Sequence, residues 1–422
     1  MEQTQRSEGI RGILRRAVAY ADRVFQLERR WKRVRDSRRQ AQIPTAVFPA
    51  MLFVMFLCRL RSFHELEQYR DLVAWRRWLH PAKNRRMPCA DEIAYVSQRL
   101  DLATLRDVLG HLYTRLMRNK VLERIRGWRV AAVDGHEIGW SYKRCCEECL
   151  TRNVEVKGAG TRIQYYHRIV VLQLLGETFR LLLDAELVKK GEDEVGAAKR
   201  MIERVLHRFP RSFDILTGDA LYAQAPVLRL LLRHNKDAVM VLKNEHRALL
   251  VDAEALFRQQ QPQIVQEDST TSQQWDVEGF TSWTGLEHPV RVVRSLESTP
   301  VRQRDANRWT HSVQTHNWTW VTTLSQKQVP TSSIIRFGHA RWQIENQGFN
   351  EIVNSWHADH SLHHHPNSIV ALWLILFIAH AVFHCFVTRN LKPPLQQNRP
   401  IIFWARQMAA CFRLDYWWPP PI

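Results

Sequence analysis

The chain has 422 residues, 45% hydrophobic and 10% aromatic, which excludes global disorder and suggests two or three domains. Lys and Arg number 61 against 42 Asp and Glu, a formal net charge of +19 with a pI near 10.0. That excess points to a polyanionic partner such as nucleic acid, because each phosphate neutralised by Lys or Arg releases condensed counterions. Seven cysteines, an odd number, argue against a disulfide framework.

Residues 1–40 carry apolar positions Ile10, Ile13, Leu14, Ala17, Val18, Ala21 and Val24 at helical spacing among many arginines. They predict a basic amphipathic helix and not a signal peptide, since no apolar core follows the charges. Pro44 to Leu60 is apolar almost all round, as in a buried helix. Ser62-Phe63-His64-Glu65 fits a capping box ahead of a helix over 63–79. Two further helices are expected over Asp91–Leu100 and Leu102–Asn119, turning at Asp101. Short helices with clustered arginines suggest a helix-turn-helix DNA reader across 1–122, an all-helical N-terminal domain.

From Gly127 the pattern changes to strands alternating with helices. Trp128–Val133 reads as a strand ending at the turn pair Asp134-Gly135, and Tyr165–Leu187 as an antiparallel hairpin. Then follow a helix over Glu194–Phe209, a strand at Phe213–Thr217, and a helix over Gln224–Arg233. A strand at Ala238–Leu242 and a helix over Ala248–Arg258 complete the alternation. Gln259–Gln274 reads as a linker, 265–325 as a β-rich insertion, and Ser332–Trp356 as a helix. Ile369–Val387 is long enough to span a membrane, but His380 and His384 favour a buried helix. Three early strands followed by alternating units imply a mixed α/β sheet flanked by helices. The expected divisions are 1–122, a catalytic core over 123–264 and 326–392, the insertion, and a tail over 393–422.

Asp134 and Asp219 each end a predicted strand. Neighbouring strands would bring both to one sheet edge, where ligands of open α/β sheets bind. Glu345 stands on a patterned helix between Trp342 and Phe349. Three carboxylates form a hard-oxygen set suited to Mg²⁺. Taken singly, each is more often a turn or surface residue.

Val133-Asp134-Gly135, Gly218-Asp219-Ala220-Leu221-Tyr222 and Arg341-Trp342-Gln343-Ile344-Glu345-Asn346 together resemble the three catalytic blocks of DDE transposases from bacterial insertion sequences. The IS-four-like branch, with its β insertion before the Glu, is the most similar. Of its Tyr-x₂-Arg-x₃-Glu-x₆-Lys signature this chain has Arg341 and Glu345, with Gly338 and Ile352 in the Tyr and Lys slots. The resemblance implies an RNase H-like core and catalytic, metal-binding Asp134, Asp219 and Glu345. It further implies Mg²⁺ or Mn²⁺ as cofactor, and DNA cleavage and strand transfer by two-metal-ion phosphoryl transfer. The partners would be the element ends and target DNA, with a homodimer in the synaptic complex, in the bacterial cytoplasm at the nucleoid. Arg341, Lys243, Lys189, Lys190 and Trp320 are the expected DNA contacts, with Trp283 and Trp318 as further candidates for stacking on a base, although core packing of the insertion is the favoured role for at least two of the three tryptophans. Two other readings stay open: an RNase H-like nuclease or resolvase that only hydrolyses nucleic acid, and a catalytically inactive DNA-binding relative.

Cys145, Cys146 and Cys149 offer half of a zinc site, with His136 or His167 as the completing ligand; packed thiols are the favoured reading. The histidines at 357, 360, 363, 364 and 365 read as a polar turn without structural metal, closed by Pro366.

Overall fold

A computed structural model describes residues 12–79, 86–158, 160–243, 247–305, 308–360, 362–391 and 399–414. The N-terminal third is helical: α1 (Ile13–Phe25), α2 (Leu27–Trp31), α3 (Val47–Leu57), α4 (Phe63–Glu67), α5 (Val73–Leu79), α6 (Ala90–Ser97) and α7 (Leu102–Arg118). The apolar stripe of α1 is buried at Ile13, Leu14, Ala17, Val18 and Ala21 as its spacing requires, while Ile10 lies outside the described residues. Every residue of α3 is buried.

The single helix expected over 63–79 is broken. Ser62 caps as anticipated, its Oγ accepting from Glu65 N at 3.0 Å, but Glu65 accepts from Arg61 N instead of closing the box. Bonds to the third residue back, Tyr69 N to Leu66 O and Arg70 N to Glu67 O, then tighten the chain into a turn. That turn sets the Tyr69 ring edge-on to Phe412, 5.3 Å between centroids.

The sheet is built from β1 (Val130–Ser141), β2 (Leu150–Val156), β3 (Gly160–Leu174), β4 (Leu181–Leu187), β5 (Ile215–Gly218) and β6 (Asp237–Val241). It continues through β7 (Gln263–Glu267), β8 (Thr270–Phe280), β9 (Val290–Asp305) and β10 (Arg308–Thr322). Helices α8 (Glu194–Arg208), α9 (Ala225–Arg233) and α10 (Arg247–Gln259) alternate with the later strands. β4, β3 and β1 are antiparallel neighbours, and β5 and β6 follow parallel to β1. That core order is RNase H-like, with β2 added on the free edge of β3.

One local expectation is corrected. Gln259–Gln274 is not a linker: β7 and the start of β8 pair in register from Gln263↔Gln274 to Glu267↔Thr270. Polar side chains serve an exposed edge hairpin, because pairing satisfies the backbone and leaves the side chains in water. The strands of 265–325 then join the core sheet directly, β10 pairing antiparallel with β6.

After β10 come α11 (Thr331–Ala340), a π-helical turn over Ile344–Phe349, α12 (Asn350–Trp356), α13 (Pro366–Cys385) and α14 (Ile401–Arg413). The only described helix long and apolar enough to cross a membrane includes α13, and 94% of its apolar window is buried within the protein. It packs against α3, α7 and β4, joining the helical third to the sheet. Its His380 and His384 both meet Glu351 of α12, at 3.4 and 2.8 Å. A second link is ionic: buried Asp184 of β4 receives Arg106 of α7 and Arg204 of α8, each at 2.9 Å.

Candidate active site

β1 and β5 run in parallel with Ala132 opposite Thr217. Asp134 and Asp219 lie just beyond these paired residues, near enough for the Asp219 charge to act on Asp134. Asp134 does not end its strand, as the Asp-Gly pair suggested. β1 continues to Ser141 beside β3, with Gly135 opposite Val170. Gly135 is there for another reason: a Cβ at this position would lie 2.3 Å from the carboxyl carbon of Glu194. Asp219 follows β5 and caps a short 3₁₀ turn, accepting from Leu221 N at 3.0 Å.

Glu345 reaches the same edge from the π turn, where the expected regular helix over 332–356 is locally widened. Such turns recur at functional sites because the extra residue re-aims side chains around it. Several contacts dock this segment. The Phe349 ring stacks on His136 of β1 at 4.9 Å, and Gln343 Oε1 accepts from Gly176 N and Arg180 Nε of the β3–β4 hairpin. Arg341, only 5% exposed, donates from Nη1 to Glu345 at 2.5 Å and lies 3.9 Å from Asp134.

Burial is the largest influence on Asp134 and pushes its carboxyl up to about 7, reinforced by the charges of Asp219 and Glu345. The Gly135 amide and Arg341 oppose that rise. The three carboxylates are coupled electrostatically but their oxygens are not gathered within 4.8 Å of one another; by chemistry they are hard donors of the kind that suit a divalent cation.

A family described as "Transposase DDE domain" matches residues 126–382. The chain belongs to the DDE transposase family. No curated protein matches the chain by sequence. The transposase domain thus spans the sheet, the π turn and most of α13, and family membership implies DNA binding and strand-cleaving activity.

Within this transposase domain, Gly338 and Ile352, the positions set against the Tyr and Lys of the IS-four-like signature, are both tightly packed. At Gly338 a Cβ would lie 2.2 Å from Nε1 of Trp320, so an indole from β10 fills the space of a side chain at the Tyr slot. Ile352, in the Lys slot, is wholly buried.

Trp320, expected to meet DNA, is 1% exposed and packs in the core, closed off from a base. Trp318 stacks on it at 6.2 Å and is partly buried, as is Trp283. Lys243 is exposed just beyond β6, and Lys189 and Lys190 are exposed in the turn after β4. Arg341 faces the carboxylates, not open solvent.

Glu194 and Tyr222 were not anticipated. Tyr222 Oη donates to Glu194 Oε1 at 2.5 Å, and Arg168 Nη1 lies 2.8 Å from Oε2. Burial, then Glu194, holds the Tyr222 hydroxyl well above its ordinary range, with Asp134 and Asp219 adding to the effect. Tyr222 stands in the Gly218–Tyr222 block, whereas the closeness of Glu194 to Gly135 exists only in three dimensions.

Cys145 is exposed, whereas Cys146, Cys149, His167 and His364 converge. His136 is not part of that group; it stacks on Phe349. The histidine-rich segment is divided among tasks. His357 accepts from Arg61, His363 meets Gln98, His365 caps α13, and His364 reaches Cys149.

Proposed function

We propose that this transposase acts on a bacterial insertion sequence of the IS-four-like branch, cleaving element ends and joining them to target DNA by in-line phosphoryl transfer. What supports the reading is that Asp219 and Glu345, the latter on the π turn, lie near enough to Asp134 for their charges to act on its carboxyl. These three residues would hold two Mg²⁺ or Mn²⁺ ions. When bound, the metals supply activation of a water or 3′-hydroxyl and neutralise charge on the transferring phosphate.

The remaining work falls to the protein. Asp134 would have to be ionised to hold a cation, and Asp219 accepts from the Leu221 amide, which fixes its aim. Arg341 offsets the carboxylates before DNA arrives, and a phosphate brought to them would compete for its donors. Lys189, Lys190 and Lys243 supply backbone contacts that hold DNA without reading it. A homodimer in the synaptic complex, at the nucleoid in the cytoplasm, fits an enzyme that must bring two element ends together.

Strand transfer from an end-bearing plasmid with Mg²⁺ or Mn²⁺ tests the proposal, comparing wild type with Asp219→Ala. Cleaved ends joined to target by wild type alone are the expected result. Hydrolysis without joining would make the protein a nuclease, and end binding without cleavage an inactive relative.

A further inference from the structure

The loop between β1 and β2 carries Cys146 and Cys149, β3 carries His167, and the segment entering α13 carries His364. One ligand atom from each converges, all within 4.8 Å of one another. Sγ of Cys146 lies 3.7 Å from Sγ of Cys149 and 3.4 Å from Nε2 of His167. Sγ of Cys149 lies 3.5 Å from Nε2 of His167 and 3.6 Å from Nε2 of His364.

These separations are informative. Zn–S bonds of about 2.3 Å and Zn–N bonds of about 2.0–2.1 Å, arranged tetrahedrally, put neighbouring ligand atoms roughly 3.3–3.8 Å apart. A disulfide would need the sulfurs at about 2.05 Å, and both cysteines are free. Cys149 and His167 are buried, at 3% and 1% exposure, while Cys146 and His364 close the group toward solvent. Four ligands from three separate stretches of chain leave no open position, which is the pattern of a structural and not a catalytic centre. Two thiolates with two imidazoles select zinc over the hard cations suited to the carboxylate site.

We propose that Cys146, Cys149, His167 and His364 bind one structural zinc ion, separate from the carboxylate centre. The ion ties the loop that follows the Asp134 strand to the segment that follows the Glu345 turn. Those regions are more than two hundred residues apart in sequence, so a single ion would brace both sides of the active site. Cys145 has no part in it, because its side chain is exposed. The inference stands on this cluster alone and does not depend on the transposase activity.

The test is metal analysis of the full chain purified from cells grown without added zinc. About one zinc per chain is expected, retained in Cys145→Ser and in Asp219→Ala, and lost by at least about fivefold in Cys146→Ser and in His364→Ala. Replacement of the zinc by Co²⁺ should give the visible absorption of a tetrahedral sulfur–nitrogen site, and zinc removal should lower the melting temperature. Wild-type zinc below roughly a tenth of an equivalent, stoichiometric iron, or zinc fully retained in a Cys149→Ser/His364→Ala double variant would overturn the proposal. Should the variants fail to fold, the metal content and Co²⁺ spectrum of the wild-type protein decide alone. Loss of zinc in Asp219→Ala would likewise overturn it, by moving the ion to the carboxylates.

Discussion

Gly338 lies so close under the indole of Trp320 that an added Cβ would stand 2.2 Å from Nε1 and 2.3 Å from Cε2. Gly to Ala inside a helix ordinarily stabilises by up to about 1 kcal/mol. Here both neighbours belong to packed elements, so overpacking of about 1–3 kcal/mol should prevail. Urea unfolding of Gly338→Ala should therefore show a lower midpoint than wild type. An unchanged or higher midpoint would mean that β10 yields readily at Trp320.

Asp134 gives a pH prediction with a definite sign. A carboxyl raised from 3.8 to about 7 costs the fold stability as pH climbs above its unfolded value. That cost is absent near pH 4 and complete once pH passes 7. Asp134→Asn should therefore raise the stability of metal-free protein at pH 8 by about 1–3 kcal/mol, change little at pH 4, and abolish cleavage. Mg²⁺ affinity of the wild type should increase as pH rises through 7. Thermal melts at the two pH values and metal titrations check both arms.

Gly135 and Glu194 form a second close pair. An Ala at 135 would displace the Glu194 carboxylate from Tyr222 and Arg168. Arg168 is partly exposed, so the stability loss should stay near 1–2 kcal/mol. Cleavage should fall further than that loss explains, since the disturbance lies beside Asp134. A Gly135→Ala protein with normal single-turnover cleavage would show that Glu194 does not support the site.

DNA binding should weaken steeply with salt, log Kd varying linearly with log salt concentration. Charge reversal of Lys189 and Lys190 together should flatten that slope by roughly two to four units. An unaltered slope, measured by fluorescence anisotropy, would place the DNA path elsewhere.

The helical third shares its core with the transposase domain. α13 lies buried against α3 and α7 as well as β4. A chain beginning at residue 123 should therefore expose apolar surface and aggregate, which size-exclusion chromatography would reveal.

Much of this molecule was legible from local pattern. The apolar run of α3, the stripe of α1 and the alternation from β5 to α10 follow from periodicity, which burial on one face imposes on any stable helix or strand. Asp134, Asp219 and Glu345 stood out in the sequence because each sits in a short block of characteristic neighbours, and the fold brings Asp219 and Glu345 within electrostatic reach of Asp134. What tertiary structure decided was which side chains meet across long separations. Trp320 looked available to a base but is enclosed by Gly338, and Glu194 acquired its place only when α8 docked beside Gly135. The polar 259–274 stretch looked like a linker because strand pairing through the backbone leaves little trace in side-chain type. Cys146 and Cys149 announced two ligands, but His364 comes from more than two hundred residues away. Spacing along a chain cannot encode such a meeting, because it depends on how the sheet and α13 pack.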